Sequence, residues 1–278
     1  MKHMLLWPSL CLLVLLTLIG IQSQAPAAAS AAPAPTATAL TTLSPVTLTV
    51  VYNNIPFDKR LTTGWGFACL IETDATTVLF DTGVVGSVLM DNLAALAIDP
   101  RKIDRVVLSH YHDDHTAGLD ALLDVNDHLT VYVPRSFPAP FKTHVAERAR
   151  VQEVGESAVI ARQIRTTGEV AGGTSEQALI VETGQGLILV TGCAHPGIVK
   201  MVQHARLYGD VYFIMGGFHL MDRMESESEA VVTTLKTMGI QKVAPSHCTG
   251  DVAILQFQAA FGTGFVPSGA GVAGALTC

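Results

Sequence analysis

The stretch Val106-Val107-Leu108-Ser109-His110-Tyr111-His112-Asp113-Asp114-His115 places three imidazoles and two carboxylates within six residues, directly behind an apolar run. The chain has only 10 His in 278 residues, so three in six is hard to ascribe to an ordinary polar surface loop. Imidazole and carboxylate are the donors that borderline cations such as zinc prefer. On an extended turn His110 and His112 share one side, while Asp114 and His115 point to a second position. Such a loop could hold two metals about 3.5 to 4 Å apart; one metal would not need both pairs.

Working outward, β-branched and apolar runs predict strands over 46–52, 66–71, 77–80, 105–108, 129–133, 178–181, 187–190, 211–215 and 242–244. Helical spacing appears over 88–96, 118–123, 197–208, 225–238 and 252–261. The first half reads mostly as hairpins and the second half alternates, which suggests an α/β or α+β layered sandwich. Five strand-like runs end on chemistry-bearing residues: Asp81-Thr82-Gly83, Ser109-His110, Thr191-Gly192-Cys193, Gly216-Gly217 and Ser246-His247. Ends that point the same way would build one pocket rim.

The histidine loop resembles that of the metallo-β-lactamase superfamily, His-x-His-x-Asp-His after a buried strand, and Phe80-Asp81-Thr82-Gly83 resembles its Asp-x-Gly strand end. The resemblance implies a four-layer αββα sandwich over residues 46–278, with metals at one edge of its two sheets. It also implies that His110, His112, Asp114 and His115 are ligands, that Asp81 orients the loop, and that Asp113 is a solvated turn residue. Pro245-Ser246-His247-Cys248-Thr249-Gly250 looks like the terminal His loop, so His247 should complete the second metal position. Cys193 stands where many members carry a bridging Asp. The usual intervening His falls near Thr167-Gly168-Glu169, so either His195 supplies a third imidazole or Glu169 supplies an oxygen. Softness and geometry favour His195.

A narrower resemblance rests on Thr191-Gly192-Cys193-Ala194-His195-Pro196-Gly197, Gly216-Gly217-Phe218-His219-Leu220 and Ser246-His247-Cys248-Thr249-Gly250. Together these look like the branch named for 7,8-dihydropterin-6-methyl-4-(β-D-ribofuranosyl)aminobenzene-5′-phosphate synthase. His219, behind two glycines, reads either as a hydrogen-bond donor to a substrate anion, an extra ligand, or a packed rim residue. His3, His128, His144 and His204 lack partner residues in the sequence and read as surface. Trp65-Gly66-Phe67 offers an aromatic edge for the pocket, although strand aromatics are more often core, and Glu225, Glu227 and Glu229 complement a helix N-terminus.

The expectation is a metallohydrolase with two divalent ions, zinc first and manganese or iron as alternatives, acting on a small-molecule phosphoester, ester or lactam-like substrate. The ions would lower the pKa of a bound water toward ~7, and Asp114 would hold that water in orientation. A transferase of the synthase type is one alternative and a non-catalytic metal-binding protein another. A serine hydrolase is excluded, because the chain has no Gly-x-Ser-x-Gly elbow.

Composition agrees with a globular chain: 49% hydrophobic, 15% charged and a net charge of −7, with no basic run to neutralise nucleic-acid phosphates. Lys2 and His3 precede an apolar stretch over 5–21, followed by small residues around Ala27 and Ala29. Residues 1–29 therefore read as a signal peptide or an uncleaved N-terminal anchor, and 30–45, rich in Ala, Pro and Thr, as a tether. An exported chain, secreted, periplasmic or tethered to a membrane through that segment alone, is expected. Export would permit disulfides among Cys69, Cys193, Cys248 and Cys278 without identifying any.

Overall fold

Strands with period-two alternation bury one set of side chains on each face, and a strand covered on both faces reads as apolar throughout. That is the pattern of β1 (Val46–Asn53), β2 (Phe67–Glu72), β3 (Thr77–Phe80) and β4 (Arg105–Val107). The computed structural model describes residues 43–276, which lie in one compact unit. The expected leader, most of the tether, His3 and Cys278 lie outside the described residues.

Among the described residues there are two mixed sheets. The first adds β5 (Thr130–Pro134), β6 (Arg150–Val154) and the closing strand β13 (Ala273–Leu276), in the order β13-β1-β2-β3-β4-β5-β6. The second contains β7 (Val159–Ala161), β8 (Ile164–Thr166), β9 (Leu179–Thr183), β10 (Gly186–Thr191), β11 (Val211–Gly217) and β12 (Lys242–Ser246), in the order β12-β11-β10-β9-β8-β7.

The faces sort the residues. Phe67, Cys69 and Ile71 meet Leu179, Val181, Ile188 and Val190 in a core between the sheets. Ala68, Leu70 and Leu79 face outward, packing with Leu89 and Leu93 of α1 (Gly86–Ala95), Leu119 and Leu122 of α3 (Leu119–Leu123) and Val145 of α4 (Ala139–Ala146). On the other side, Ile180, Leu189 and Ile214 pack with Met201 of α5 (Ile198–Ala205), Leu235 of α6 (Glu225–Thr237) and Phe257 of α7 (Asp251–Phe261). Each fully buried aliphatic or aromatic side chain in these layers contributes roughly 1.5–3 kcal/mol. The result is the expected αββα sandwich.

The hairpin reading of the first half holds only for β1 to β3. From β3 to β6 the strands pair in parallel, as do β10, β11 and β12. Parallel neighbours need a crossover, and short helices supply it. One of them, α4, is not marked by periodicity in Ala139-Pro140-Phe141-Lys142, and neither are the polar edge strand β6 and the three-residue strands β7 and β8. No helix among the described residues is long and apolar enough to cross a membrane.

Candidate metal centre

The C-terminal ends of β3, β4, β10, β11 and β12 carry the five polar motifs, and the structure brings them to one rim. His110 follows β4, and His112 is the extended N-cap (φ −133°, ψ 147°) of a single helical turn, α2 (Asp113–Thr116). The loop is thus extended only as far as His112. The helical turn behind it carries Asp114 and His115 back toward the rim, which separates the two pairs.

Three imidazoles are fixed by oxygens on their Nδ1 side. His115 Nδ1 lies 2.7 Å from Asp81 Oδ2, so it donates to the carboxylate. The Ser109 hydroxyl donates to Asp81 Oδ2 at 2.8 Å and accepts from His110 Nδ1 at 2.9 Å. His247 Nδ1 donates to Asn54 Oδ1 at 3.1 Å. Each of these bonds leaves Nε2 facing the rim, the way an outer oxygen orients a metal-binding imidazole.

The free nitrogens converge. His110 Nε2 is 3.0 Å from His112 Nδ1 and 3.2 Å from His195 Nε2. Two nitrogens bound to one tetrahedral zinc at 2.0–2.1 Å sit about 3.3 Å apart, so the spacing suits a shared cation. A second group joins Asp114, His115, Cys193 and His247, with donor atoms within 4.8 Å of one another. Here His247 Nε2 is buried and lies 3.1 Å from Asp114 Oδ2 without forming a hydrogen bond. Cys193 Sγ sits between the groups, 3.2 Å from His115 Nε2 and clustered with His110 and His195. An orphaned buried nitrogen, facing imidazoles, a carboxylate and a sulfur together fit zinc; His and Asp alone would also suit manganese or iron.

Charge agrees with that fit. Burial pushes the His110 imidazole well below its usual range, and the rings of His115, His195 and His112 push it further. Burial and then His219 bring His195 down to about 4. Both rings are therefore neutral donors near pH 7. His115 behaves oppositely: burial lowers it, but the charges and hydrogen bonds of Asp81 and Asp114 prevail and hold it at about 10. Burial raises Asp114, and the His115 and His247 rings more than reverse this, keeping its carboxyl well below the carboxylate range. A cation in place of the His115 Nε2 proton would satisfy the same carboxylates.

Glu169 belongs to neither group. Its carboxylate accepts the Ser136 backbone N–H at 3.3 Å, which turns it away from the donors. The site's acidic anchor is Glu176, fully buried, which sequence reasoning missed. Its Oε1 accepts N–H bonds from Gly192, Cys193 and Ala194 at 3.1, 3.0 and 2.9 Å, and Oε2 accepts from His195 at 2.8 Å. Burial pushes its carboxyl up to about 7, against these backbone donors and the His115 charge. The loop carrying Cys193 and His195 is thereby fixed by a side chain sixteen or more residues upstream, a contact that no local pattern announces.

Backbone strain concentrates at the rim. Asp81 (φ 59°), Ala194 (φ 60°), His219 (φ 50°) and His247 (φ 52°) all occupy the left-handed region that non-glycine residues rarely adopt. Gly192 has no room for a side chain, since a Cβ there would lie 2.2 Å from Ser109 Oγ and 2.8 Å from Asp81 Oδ2.

Around the donors, the Trp65 ring lies 4.8 Å from the His247 ring, at the pocket edge, whereas Phe67 of the same stretch is core between the sheets. A cavity of about 290 Å³ opens beside His195 and His219, lined also by Ile198, Phe218, Arg223 and Val231. His144 and His128, expected without partners, pair with Asp120 at 2.9 Å and Asp127 at 3.2 Å, away from the rim. Glu227 accepts the Met224 N–H at 3.1 Å and caps α6. Cys69, Cys193 and Cys248 are free thiols.

Comparison with known proteins bears on the family and the fold. The 7,8-dihydropterin-6-methyl-4-(β-D-ribofuranosyl)-aminobenzene-5′-phosphate synthase of Methanocaldococcus jannaschii is 29% identical over 237 residues, covering 66% of this chain and 81% of that protein. The crystal structure of Tm1679, described as a metal-dependent hydrolase of the β-lactamase superfamily, superposes with a TM-score of 0.70 at 24% identity, covering 84% of this chain and all of that one. A diphosphatase of the PhnP family shares the fold, with a TM-score of 0.58 at 14% identity over 84% of this chain and 97% of that one. The sequence description of the metallo-β-lactamase superfamily matches residues 63–227, more than half of the chain. By that match, and by the sandwich and rim it folds into, the chain belongs to the metallo-β-lactamase superfamily.

Proposed function

We propose that the chain is a hydrolase that works with two divalent metal ions, zinc by preference, on a small-molecule phosphoester, ester or lactam-like substrate. The observation that carries this reading is the pair of donor groups: His110, His112 and His195 on one side, Asp114, His115 and His247 on the other, with Cys193 between them. When bound, such ions acidify water and polarise the scissile group.

The protein's own residues do the rest. Asp81, Ser109 and Asn54 hold the imidazoles in the donor tautomer and position. Asp114, in its charged form, reaches both His115 and His247 and offers a carboxylate oxygen to orient a water at the rim. Glu176 keeps the Cys193 to His195 turn in place. The adjoining cavity, of mixed polar and apolar lining, is of a size for a small substrate.

A transferase is the second reading, favoured by one observation: the 29% identical relative is named as a synthase. A screen of phosphodiesters, esters and lactams in ¹⁸O-water separates the two. The hydrolase reading expects turnover with one ¹⁸O in the product. Turnover that occurs only with an added arylamine and yields a new C–N bond would contradict it. Residues 1–29 alone support an exported or N-terminally anchored chain; a mature protein in the cytoplasmic fraction that still begins at Met1 would contradict this.

A further inference from the structure

Cys248 is buried to 2% exposure at the rim, yet neither donor group uses it. It follows His247 at the end of β12, beside the ends of β10 and β11, so the parallel strands of the second sheet deliver Cys193, His219 and Cys248 to one point. We propose that Cys193, Cys248 and His219 form a further metal position, selective for thiophilic cations, that adjoins the dinuclear centre through the Cys193 sulfur.

The donors of these three residues lie within 4.8 Å of one another. Cys193 is 3% exposed, and both thiols are reduced. Cys248 Sγ approaches the Cys193 carbonyl at 3.8 Å, so the sulfur lies over the β10 end rather than in the core. His219 turns its ring in through a left-handed backbone (φ 50°), and its buried Nδ1 has no hydrogen-bond partner. That nitrogen is a donor or acceptor left without an assignment by the fold.

The backbone builds the position in advance. Leu220 N donates to Cys248 O at 3.2 Å, and Phe218 N donates to Thr249 Oγ1 at 3.1 Å, which ties the His219 turn to the Cys248 turn. Gly217 lies against the Cys248 sulfur and the Gly192 carbonyl; a Cβ there would meet that oxygen and stand 2.7 Å from Cys248 Sγ. Only glycine leaves that space open.

Two sulfurs and one imidazole make a Cys₂His set, which selects soft or borderline cations and leaves a fourth position free. Binding would release the thiol protons. Committing Cys193 here does not empty the neighbouring groups. His110, His112 and His195 remain for one ion, and Asp114, His115 and His247 for the other. The inference shares Cys193 with the hydrolase reading and adds Cys248 and His219, which that reading does not employ.

The test uses the full chain, stripped with a chelator, kept under a non-thiol reductant and titrated with Cd(II). Bound metal is counted by elemental analysis, and thiolate ligation is followed by the sulfur-to-cadmium absorbance. The wild type is expected to retain one equivalent more than Cys248→Ser and to lose about half of its thiolate absorbance on that substitution. His112→Ala should lower the imidazole-bound equivalents while keeping the absorbance, which separates this position from the dinuclear centre. Should Cys248→Ser fail to fold, ¹¹³Cd NMR of the wild type gives the answer, with a resonance of mixed two-sulfur, one-nitrogen ligation expected. Equal uptake and equal absorbance in wild type and Cys248→Ser, or a spectrum without sulfur-ligated cadmium, would overturn the proposal.

Discussion

Asp81 Oδ2 stands 2.7 Å from His115 Nδ1, and both residues are fully buried. The same carboxylate takes the Ser109 N–H at 2.7 Å and the Ser109 hydroxyl at 2.8 Å, so one acidic side chain orients the imidazoles on both sides of the rim. Replacing it by Asn removes the charge and offers an N–H where His115 needs an acceptor. Loss of such an outer partner typically costs 10–100-fold in metal affinity. Asp81→Asn is therefore expected to bind zinc about 10–100-fold more weakly in a competition titration against a chelator. Unchanged affinity would mean that the carboxylate does not set the tautomer.

The two donor groups should fail separately. Asn54 bonds to His247, its Oδ1 accepting from the ring at 3.1 Å and its Nδ2 donating to the backbone carbonyl at 3.5 Å, and His195 joins the His110 side. Asn54→Leu should weaken one bound equivalent and spare the other, and His195→Gln should do the same to the opposite equivalent. Metal counts of the variants, alone and combined, check this, with the combined variant losing both. If either single substitution released both ions, the groups would be one site.

Glu176→Gln tests the buried anchor. The amide can still accept at one oxygen but presents an N–H toward the N–H of His195, where Oε2 now accepts at 2.8 Å. An unsatisfied buried donor of this kind costs about 1–3 kcal/mol. Denaturant unfolding of the metal-free protein should show a loss of that order, with weaker binding at the His195 side when metal is restored. A loss below 0.5 kcal/mol would mean that the turn holds without its acceptor.

Cys69 supplies a pH-dependent prediction away from the rim. Burial pushes its thiol up to about 12, opposed only in small part by its backbone contact. At pH 8 a thiol of that pKa is thiolate to about one part in ten thousand, so alkylation should be negligible until the chain unfolds. Because the folded pKa is raised, the stability contribution of the neutral thiol is fully present below pH 9 and is lost as pH rises through about 12. Mass mapping after iodoacetamide at pH 8 should find Cys69 unmodified in native protein and modified in denaturant. Modification at equal rates in both would contradict the burial.

Much of this site can be read from the sequence because its donors are local or end a strand. His110, His112, Asp114 and His115 lie in one loop, and the motifs ending in Asp81, Cys193, His219 and His247 each close an apolar run. Parallel strands that share a direction must bring such ends together. What could not be read is what depends on approach between distant segments. Glu176 acts once β9 has paired with β10, and Asn54 once the end of β1 meets the end of β12 on the other sheet; neither lies in a motif. The same holds for Glu169: a plausible ligand by position, it is turned aside by the Ser136 N–H of a neighbouring loop. The strand β6 escaped because an edge strand with an exposed polar face, Arg150-Val151-Gln152-Glu153-Val154, has little apolar alternation, and β7 and β8 because three residues each are too few to show a period.

The central claim is that the rim holds two metal ions. The most direct measurement is metal content per polypeptide of the chain purified without chelator or affinity nickel, beside His112→Ala. The account predicts two equivalents or more in the wild type and a loss of at least one in the variant. One equivalent or less in wild-type protein that is folded and has been offered zinc would contradict it.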